Sequence, residues 1–231
     1  MKHYARSRLW CEWEEFDSWQ QRALSVLADP DASALSPFHL LSLPGVSAGA
    51  QRACATRWMA ARREAGAPER ARLAEAFAAD ERRDDRRATE RLPEHRIRVG
   101  YLSNDFHMHA TALLMVEMLE AHDHARFELH AYSQGEDDGG GMRQRLAACF
   151  DGGFHDSRAL VDSQLARAIH ADGIDLLVDL KGYTAGTRTA VLMARPAPVQ
   201  VSFLGYPGTL GGDFCDYLIS DHFVTPPEAA G

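Results

Sequence analysis

The stretch RIRVGYLSNDFHMHAT, residues 96–111, decides the fold. It begins as a predicted strand, in which Ile97, Val99 and Tyr101 alternate with residues apolar enough for both faces to be buried. The chain then turns polar in the segment SND, and a helix is predicted over residues 111–122. A strand, a polar loop and a helix form the opening unit of a doubly wound α/β sheet, in which ligands bind at the carboxyl ends of the strands.

Strands and helices alternate along the chain that follows this unit. Further strands are predicted over residues 127–133, at Phe154, and over residues 174–180, 199–204 and 217–220. Further helices are predicted over residues 142–150, 159–170 and 191–194. Asp156 and Ser157 are candidate N-caps of the second of these helices. Because strands that alternate with helices pair in parallel, the pattern predicts an α/β fold with a parallel sheet.

The first part of the chain, residues 1–92, predicts a small helical region with helices over residues 10–28 and 48–63. Residues 69–91 are rich in Arg, Asp, Glu and Ala, and the second half of this stretch has almost no apolar residue. We interpret the stretch as a solvated linker, because a helix that is polar all round has no face to bury. The domain boundary is therefore predicted just before residue 93, and the α/β domain over residues 93–231.

Composition excludes several classes of partner. The net charge of −8 lacks the basic footprint of a nucleic-acid-binding protein. No apolar run approaches the roughly 18 residues of a membrane span. The four cysteines are scattered without a CxxC pair, which indicates buried thiols in a reducing cytosol rather than disulfides or a zinc site. We therefore expect a cytoplasmic protein with no nucleic acid and no membrane as partner.

Three polar or glycine-containing loops follow predicted strands. One carries Asp105 and His109, one is the Gly-Tyr-Thr segment at residues 182–184, and one spans residues 205–209. Because the carboxyl ends of parallel strands share one edge of a sheet, these loops are expected to converge. Glycine and proline also mark ordinary turns, so an ordinary structural role stays open for the second and third loops.

The residues alone allow two roles for the His109 side chain. A neutral imidazole can accept a proton from an attacking hydroxyl, whereas a loop histidine can also cap the helix that follows. His107 and His109 form an H-x-H pair, but two potential ligands without a third are weak evidence of a metal site, so no metal is predicted.

Four motifs, in this order, carry a resemblance to a known family. They read RVGYLSNDFHMH from residue 98, DGIDLLVDLKGYTAG from residue 172, ARPAPVQVSFLGYPGTLG from residue 194 and DYLISD from residue 216. From residue 93 onward the chain resembles the catalytic region of the protein O-GlcNAc transferase and SPINDLY family. The resemblance implies a GT-B glycosyltransferase, which has two Rossmann-like halves and an active site in the cleft between them. This chain matches the N-terminal half.

The resemblance also implies a reaction and a set of site residues. The reaction is transfer of N-acetylglucosamine from UDP-GlcNAc to Ser or Thr hydroxyls of proteins, with inversion and with no metal or other cofactor. The partners implied are protein acceptors and the nucleotide sugar. His109 and Asp105 match positions at the catalytic centre. Four further residues match positions of the family near bound substrate: Thr111, Leu204, Gly205 and Pro207. Tyr183 and Thr184 are also expected to contact substrate, on their position in the second loop alone.

Two alternatives accompany this prediction. The first is O-fucose transfer from GDP-fucose, because SPINDLY shares the motifs. The second is a non-catalytic half-domain that binds a partner, because the donor-binding half of the family is expected to follow beyond Gly231 and the isolated chain is expected to be inactive. The sequence also departs from the animal enzymes, with Ala110 in place of proline, His107-Met108 in place of Gly-Asn and Ala185 in place of lysine. These changes bear on acceptor preference.

Overall fold

The computed structural model describes residues 10–29, 35–83 and 96–226 of the chain. Within these residues, no helix is both long enough and apolar enough to span a membrane. The predicted domain boundary between residues 92 and 93 lies outside the described residues, so it stays a prediction. The described part of the chain divides into two compact units.

The smaller unit is helical. It contains the described residues up to Ala65 together with the segment Pro207–Asp213. Its helices are α1 Phe16–Ala28, α2 Pro37–Leu40 and α3 Ala48–Ala65. Its core is formed by the buried residues Ala23, Leu40, Leu43 and Cys54. The two predicted helices are confirmed, but α1 begins at Phe16, six residues later than predicted, and Trp10 and Trp13 before it are exposed.

The larger unit contains Gly66–Tyr206 and the described residues from Phe214 onward. It is built on a six-stranded, wholly parallel sheet with the strand order β3-β2-β1-β4-β5-β6. The strands are β1 Ile97–Ser103, β2 Phe127–Ser133, β3 Gly153–Asp156, β4 Leu176–Asp179, β5 Val199–Phe203 and β6 Tyr217–Ile219. The predicted parallel α/β sheet is confirmed. Chain order reverses between β1 and β4, which makes that position the topological switch point of the sheet.

Helices connect the strands of the larger unit. They are α4 Ala67–Arg83, α5 Ala110–Glu120, α6 Gly141–Ala147, α7 Asp162–Ala171 and α8 Thr189–Met193. The main core lies between the sheet and these helices. Val99 and Leu129 of neighbouring strands pair in register, and Met115 and Leu119 of α5 belong to the same buried cluster.

The interpretation of residues 69–91 as a solvated linker is wrong for the part that the structure describes. Residues 67–83 form α4, in which Leu73 and Phe77 are buried. The Phe77 ring stacks on the His170 ring of α7, with 4.1 Å between ring centroids. Two apolar residues spaced four apart on one helical face are enough to anchor an otherwise polar helix.

The predicted N-caps of α7 are also wrong. The helix begins at Asp162, and the side-chain oxygen of Gln164 accepts a hydrogen bond from the Val161 backbone N–H. The Asp156 carboxylate instead accepts from the Arg158 guanidinium, and the Ser157 hydroxyl donates to a carbonyl of β2. Tertiary and short-range partners therefore occupy both candidate capping side chains.

Candidate active site

Three loops meet at the carboxyl edge of the sheet, after β1, β4 and β5. The Asn104 amide after β1 donates a hydrogen bond to the Ala185 carbonyl after β4, at 3.3 Å. The loops after β4 and β5 are closer still, since a Cβ atom added at Gly205 would lie 1.8 Å from the Leu180 carbonyl oxygen. The convergence predicted from parallel topology is therefore present.

The centre of this edge is a buried ion pair between Lys181 and Asp105. The Lys181 Nζ atom donates to Asp105 Oδ2 at 2.7 Å, and the two side chains are only 7% and 8% exposed. Asp105 follows β1 and Lys181 follows β4, so the pair bridges the switch point. A buried carboxylate requires such a partner, and the pair fixes the two loops relative to each other.

His109 lies beside this pair and caps helix α5. Its Nδ1 atom accepts a hydrogen bond from the Thr111 backbone N–H at 3.2 Å and lies 3.6 Å from Asp105 Oδ2. The His109 side chain is 43% exposed, whereas Thr111 is buried. The structure thus gives His109 the helix-capping position that sequence reasoning left open, and also places it next to Asp105.

The capping bond specifies the tautomer of neutral His109. An Nδ1 atom that accepts from a backbone N–H carries no proton, so the single proton of the neutral ring is on Nε2. In that state Nε2 is a hydrogen-bond donor. If Nε2 is to accept a proton, Nδ1 must carry one, and Asp105 at 3.6 Å is then the nearby acceptor in place of the Thr111 N–H.

Asp179, at the end of β4, organises the loop that carries Lys181. Its two carboxylate oxygens accept hydrogen bonds from the backbone N–H groups of Lys181 (3.1 Å) and Gly182 (2.8 Å). Burial raises the pKa of Asp179 to about 6, although these two hydrogen bonds and the Lys181 charge oppose the rise. The loop backbone is therefore held by a carboxylate that is itself removed from water.

Tyr183 and Thr184 follow in the same loop, and both side chains have protein partners. Tyr183 is buried, and its ring meets the Tyr206 ring edge to face, with 5.2 Å between centroids. The Thr184 hydroxyl donates to the Lys181 carbonyl at 2.8 Å and closes the turn. Both residues shape the loop, and their contact with substrate stays a prediction.

The third loop contains the remaining predicted residues. Leu204 has a φ of +66° and is 38% exposed, a left-handed conformation that is unfavourable for a branched side chain and is concentrated at functional sites. Gly205 lies too close to the Leu180 carbonyl for any side chain. Pro207 begins the segment that belongs to the smaller unit, so the structure does not group it with the other predicted residues.

Sequence reasoning missed Lys181 and Asp179. A signal was present, because both are charged residues at the end of the nearly continuous apolar run of β4, where a charge has to find a partner. The H-x-H pair does lie together, with 5.8 Å between the ring centroids of His107 and His109. Among residues 10–29, 35–83 and 96–226, the one group of three potential ligands includes neither of them.

An open parallel sheet with this strand order and polar loops at its switch point defines a Rossmann-like α/β protein. The family model described as glycosyl transferase family 41 matches residues 11–231, and the chain belongs to this family. The resemblance to the O-GlcNAc transferase and SPINDLY family is confirmed.

Curated relatives match over the larger part of the chain. One is the probable UDP-N-acetylglucosamine–peptide N-acetylglucosaminyltransferase SEC of Arabidopsis thaliana, 37% identical over 135 residues, which are 58% of this chain and 14% of that protein. Another is the UDP-N-acetylglucosamine–peptide N-acetylglucosaminyltransferase of Caenorhabditis elegans, 38% identical over 58% of this chain and 12% of that protein. A third, the Arabidopsis thaliana protein named SPINDLY, is 35% identical over 59% of this chain and 15% of that protein.

A solved structure shares the fold. A mutant O-GlcNAc transferase of Thermobaculum terrenum is 34% identical, with a TM-score of 0.57 over 61% of this chain and 26% of that chain. The predicted α/β fold of a GT-B half is therefore confirmed. The chain spans about one seventh of the length of the curated relatives described here and about a quarter of the solved chain.

Proposed function

We propose that this chain supplies the N-terminal catalytic half of an inverting glycosyltransferase that moves N-acetylglucosamine from UDP-GlcNAc to Ser or Thr hydroxyls of proteins. Family membership supports the class of reaction, and the names of the relatives support the donor. We assign the active site to this edge of the sheet because Lys181, Asp105 and His109 lie together there, at the switch point.

Each member of this arrangement has a distinct part in the proposal. Lys181 neutralises Asp105 and holds it in place, so it acts as a positioning residue. Asp105 lies where it can stabilise a proton on Nδ1 of His109. His109 has the partly exposed side chain, and its imidazole is the group that meets the substrates.

The capping bond to Thr111 favours a donor role for His109. With the proton on Nε2, the imidazole donates a hydrogen bond to an oxygen of the donor or acceptor and orients it for attack. A base role requires the other tautomer, which exchanges the Thr111 N–H for Asp105 as the partner of Nδ1. We propose the donor role as the resting state.

The proposal needs neither a metal nor another cofactor, and its partners are the protein acceptor and the nucleotide sugar. Glycosyl transfer in this scheme relies on positioning and hydrogen bonding by side chains. We place the protein in the cytoplasm, since its four cysteines are free thiols. The prediction that they are buried holds for Cys54 and Cys149 but is wrong for Cys11, which is exposed. O-fucose transfer from GDP-fucose is the second candidate and rests on the resemblance to SPINDLY alone, because the matched SPINDLY relative is itself named as a probable N-acetylglucosaminyltransferase.

The test measures transfer from radiolabelled UDP-GlcNAc and GDP-fucose to a mixture of unmodified proteins. It uses the 231-residue chain alone and the same chain extended by the donor-binding half of a family member. We expect the extended protein to transfer GlcNAc and its His109→Asn variant to be at least 100-fold slower. Because the appended half binds the donor, the halves of an O-GlcNAc transferase and of a SPINDLY protein are both tested. Transfer only of fucose and only with the SPINDLY half would select the second candidate, and no transfer with either half would select the non-catalytic half-domain.

A further inference from the structure

A second cluster of polar side chains lies on β2, β3 and the end of α7. It consists of His130 on β2, His155 on the edge strand β3 and Asp172 just after α7. One potential ligand atom from each residue lies within 4.8 Å of the others. His130 Nδ1 is 3.5 Å from His155 Nε2, and His155 Nε2 is 3.9 Å from Asp172 Oδ2.

These separations suit a tetrahedral metal ion. Zinc binds histidine nitrogen at about 2.0–2.1 Å and carboxylate oxygen at about 2.0–2.2 Å, which separates neighbouring ligands of a tetrahedron by roughly 3.3–3.5 Å. The two histidine nitrogens already have this separation, whereas the Asp172 carboxylate has to approach them by about 0.4–1.5 Å. A water molecule can complete the fourth position, because His155 and Asp172 are 39% and 32% exposed.

A carboxylate orients His130 in the way that metal sites use. His130 is 7% exposed, and its Nε2 atom lies 3.0 Å from Glu128 Oε1. The carboxylate keeps the proton of the neutral ring on Nε2, so the lone pair of Nδ1 faces His155. Carboxylates hydrogen-bonded to metal-binding histidines orient them in the same way. Glu128 is itself held by Arg96 at 3.0 Å and by Arg98 at 3.4 Å.

Two adjacent glycines leave space for the rings. A Cβ atom at Gly152 would lie 2.3 Å from Nε2 of His130, and one at Gly153 would lie 2.8 Å from Nε2 of His155. The His130 and His155 rings are almost parallel, with an interplanar angle of 4°. Any other residue at Gly152 would push the more buried ring out of its place.

Other hydrogen bonds at the cluster leave its ligand atoms accessible. The Tyr132 hydroxyl donates to Asp172 Oδ2 at 2.7 Å, and this oxygen keeps a second lone pair for an ion. The Arg98 guanidinium donates to the Asp172 backbone carbonyl at 3.1 Å and places one positive charge near the site. The carboxylates of Glu128 and Asp172 balance the Arg96 and Arg98 guanidiniums, and Arg96 is shared with a third carboxylate, that of Asp151.

We propose that His130, His155 and Asp172 bind a divalent transition-metal ion, for which Zn²⁺ is the best fit. The ion would tie the edge strand β3 and the end of α7 to β2, which gives it a structural role. Its ligands are separate from Asp105, His109 and Lys181, so the site is independent of the metal-free reaction proposed above. Two nitrogen ligands and one oxygen ligand favour Zn²⁺ over Mg²⁺ or Ca²⁺, which prefer oxygen.

The experiment uses the full 231-residue chain without a polyhistidine tag, stripped of metal by a chelator. Zn²⁺ is titrated by calorimetry, and Co²⁺ is added separately as a spectroscopic probe of tetrahedral coordination. We expect one equivalent of Zn²⁺ to bind, visible absorption from bound Co²⁺, and a rise in Tm of about 5–10 °C at a free Zn²⁺ concentration 100-fold above Kd.

Variants distinguish Zn²⁺ binding at this cluster from adventitious Zn²⁺ binding elsewhere on the chain. His155→Ala, at a partly exposed position, should abolish the Tm shift, and Glu128→Gln should weaken Zn²⁺ binding by about 10–100-fold. The matched control is His222→Ala, which removes a histidine outside the cluster and should change nothing. Zn²⁺ binding that survives His155→Ala, or the lack of any Tm shift in a natively folded wild-type chain, would overturn the proposal. Circular dichroism establishes that each variant is folded.

Discussion

The Nζ atom of Lys181 lies 2.7 Å from Oδ2 of Asp105, and both side chains are more than nine-tenths buried. The two residues are 76 positions apart in the chain and join the loops after β1 and β4. Each charge has the other as its partner inside the protein. The loss of either one leaves a buried charge without compensation, which is far more costly than the loss of a surface ion pair.

Replacing Lys181 by methionine should destabilise the chain by about 3–5 kcal/mol, because Asp105 then stays buried without its countercharge. The double variant Lys181→Met with Asp105→Asn should recover most of that loss, since neither side chain is then charged. Urea unfolding followed by circular dichroism measures both free energies of unfolding.

Arg72→Met is the matched control for this pair. Arg72 and Glu69 form an exposed ion pair on α4, with 3.5 Å between the charged atoms, and its loss should cost less than about 1 kcal/mol. If Lys181→Met costs as little as Arg72→Met, the buried pair does not hold the two loops as argued.

His109 carries both a helix cap and the proposed contact with substrate, and two substitutions separate these roles. His109→Ala removes the cap and should cost about 1 kcal/mol of stability, whereas His109→Asn restores a good N-cap and should cost little. Both variants should lose transfer in the extended protein, because neither has an imidazole. Thermal unfolding and the transfer assay are measured on the same samples.

The control for the His109 variants is His39→Asn, a substitution of a residue in the helical unit with no predicted part in the site. It should leave transfer unchanged. Activity of His109→Asn close to that of the wild type would contradict the imidazole's role, whatever the stability of the protein.

The fold followed from local pattern because the four inner strands, β1, β2, β4 and β5, are short and mostly buried runs between polar loops. β2 spans residues 127–133 as predicted, and β5 differs from its predicted bounds by one residue. The convergence of the loops followed from parallel topology. Asp105 and His109 were found because they lie within one loop.

The parts that could not be predicted depend on contacts distant in sequence. The partner of Asp105 is on another strand's loop, so no local pattern identifies Lys181. Helix α4 was missed because its polar composition hid Leu73 and Phe77, whose partner His170 lies far along the chain. Site residues reached by resemblance rather than by geometry, such as Pro207, await the transfer assay.

Asp179 should make stability fall as the pH rises. Its pKa in the folded chain is raised to about 6 from an ordinary 3.8, so the folded state binds more protons than the unfolded state between these values. The contribution of Asp179 to stability is therefore fully present below about pH 4 and is lost as the pH rises through 6, by roughly 3 kcal/mol in all. Asp179→Asn should remove this dependence, as measured by urea unfolding at pH 4.5 and 7.5.

Other carboxylates also titrate in this range, so the comparison needs a control at an exposed position. Asp80→Asn on α4 changes the same chemical group and should preserve the wild-type slope. A wild-type slope that persists in Asp179→Asn would mean that another group is responsible.

Gly205→Ala should disrupt the meeting of the loops after β4 and β5. The added Cβ atom would lie 1.8 Å from the Leu180 carbonyl oxygen and 3.2 Å from the Lys181 backbone nitrogen, so the backbone itself has to shift. We expect a loss of about 1–3 kcal/mol in stability and a lower rate of transfer, because the shift also displaces the segment that begins with Lys181.

Gly141→Ala is the matched control, since a Cβ atom at the start of α6 meets nothing within 4 Å and alanine favours a helix. Thermal unfolding and transfer measured on both variants check this, and equal effects of the two substitutions would show that the close approach at Gly205 does not support the site.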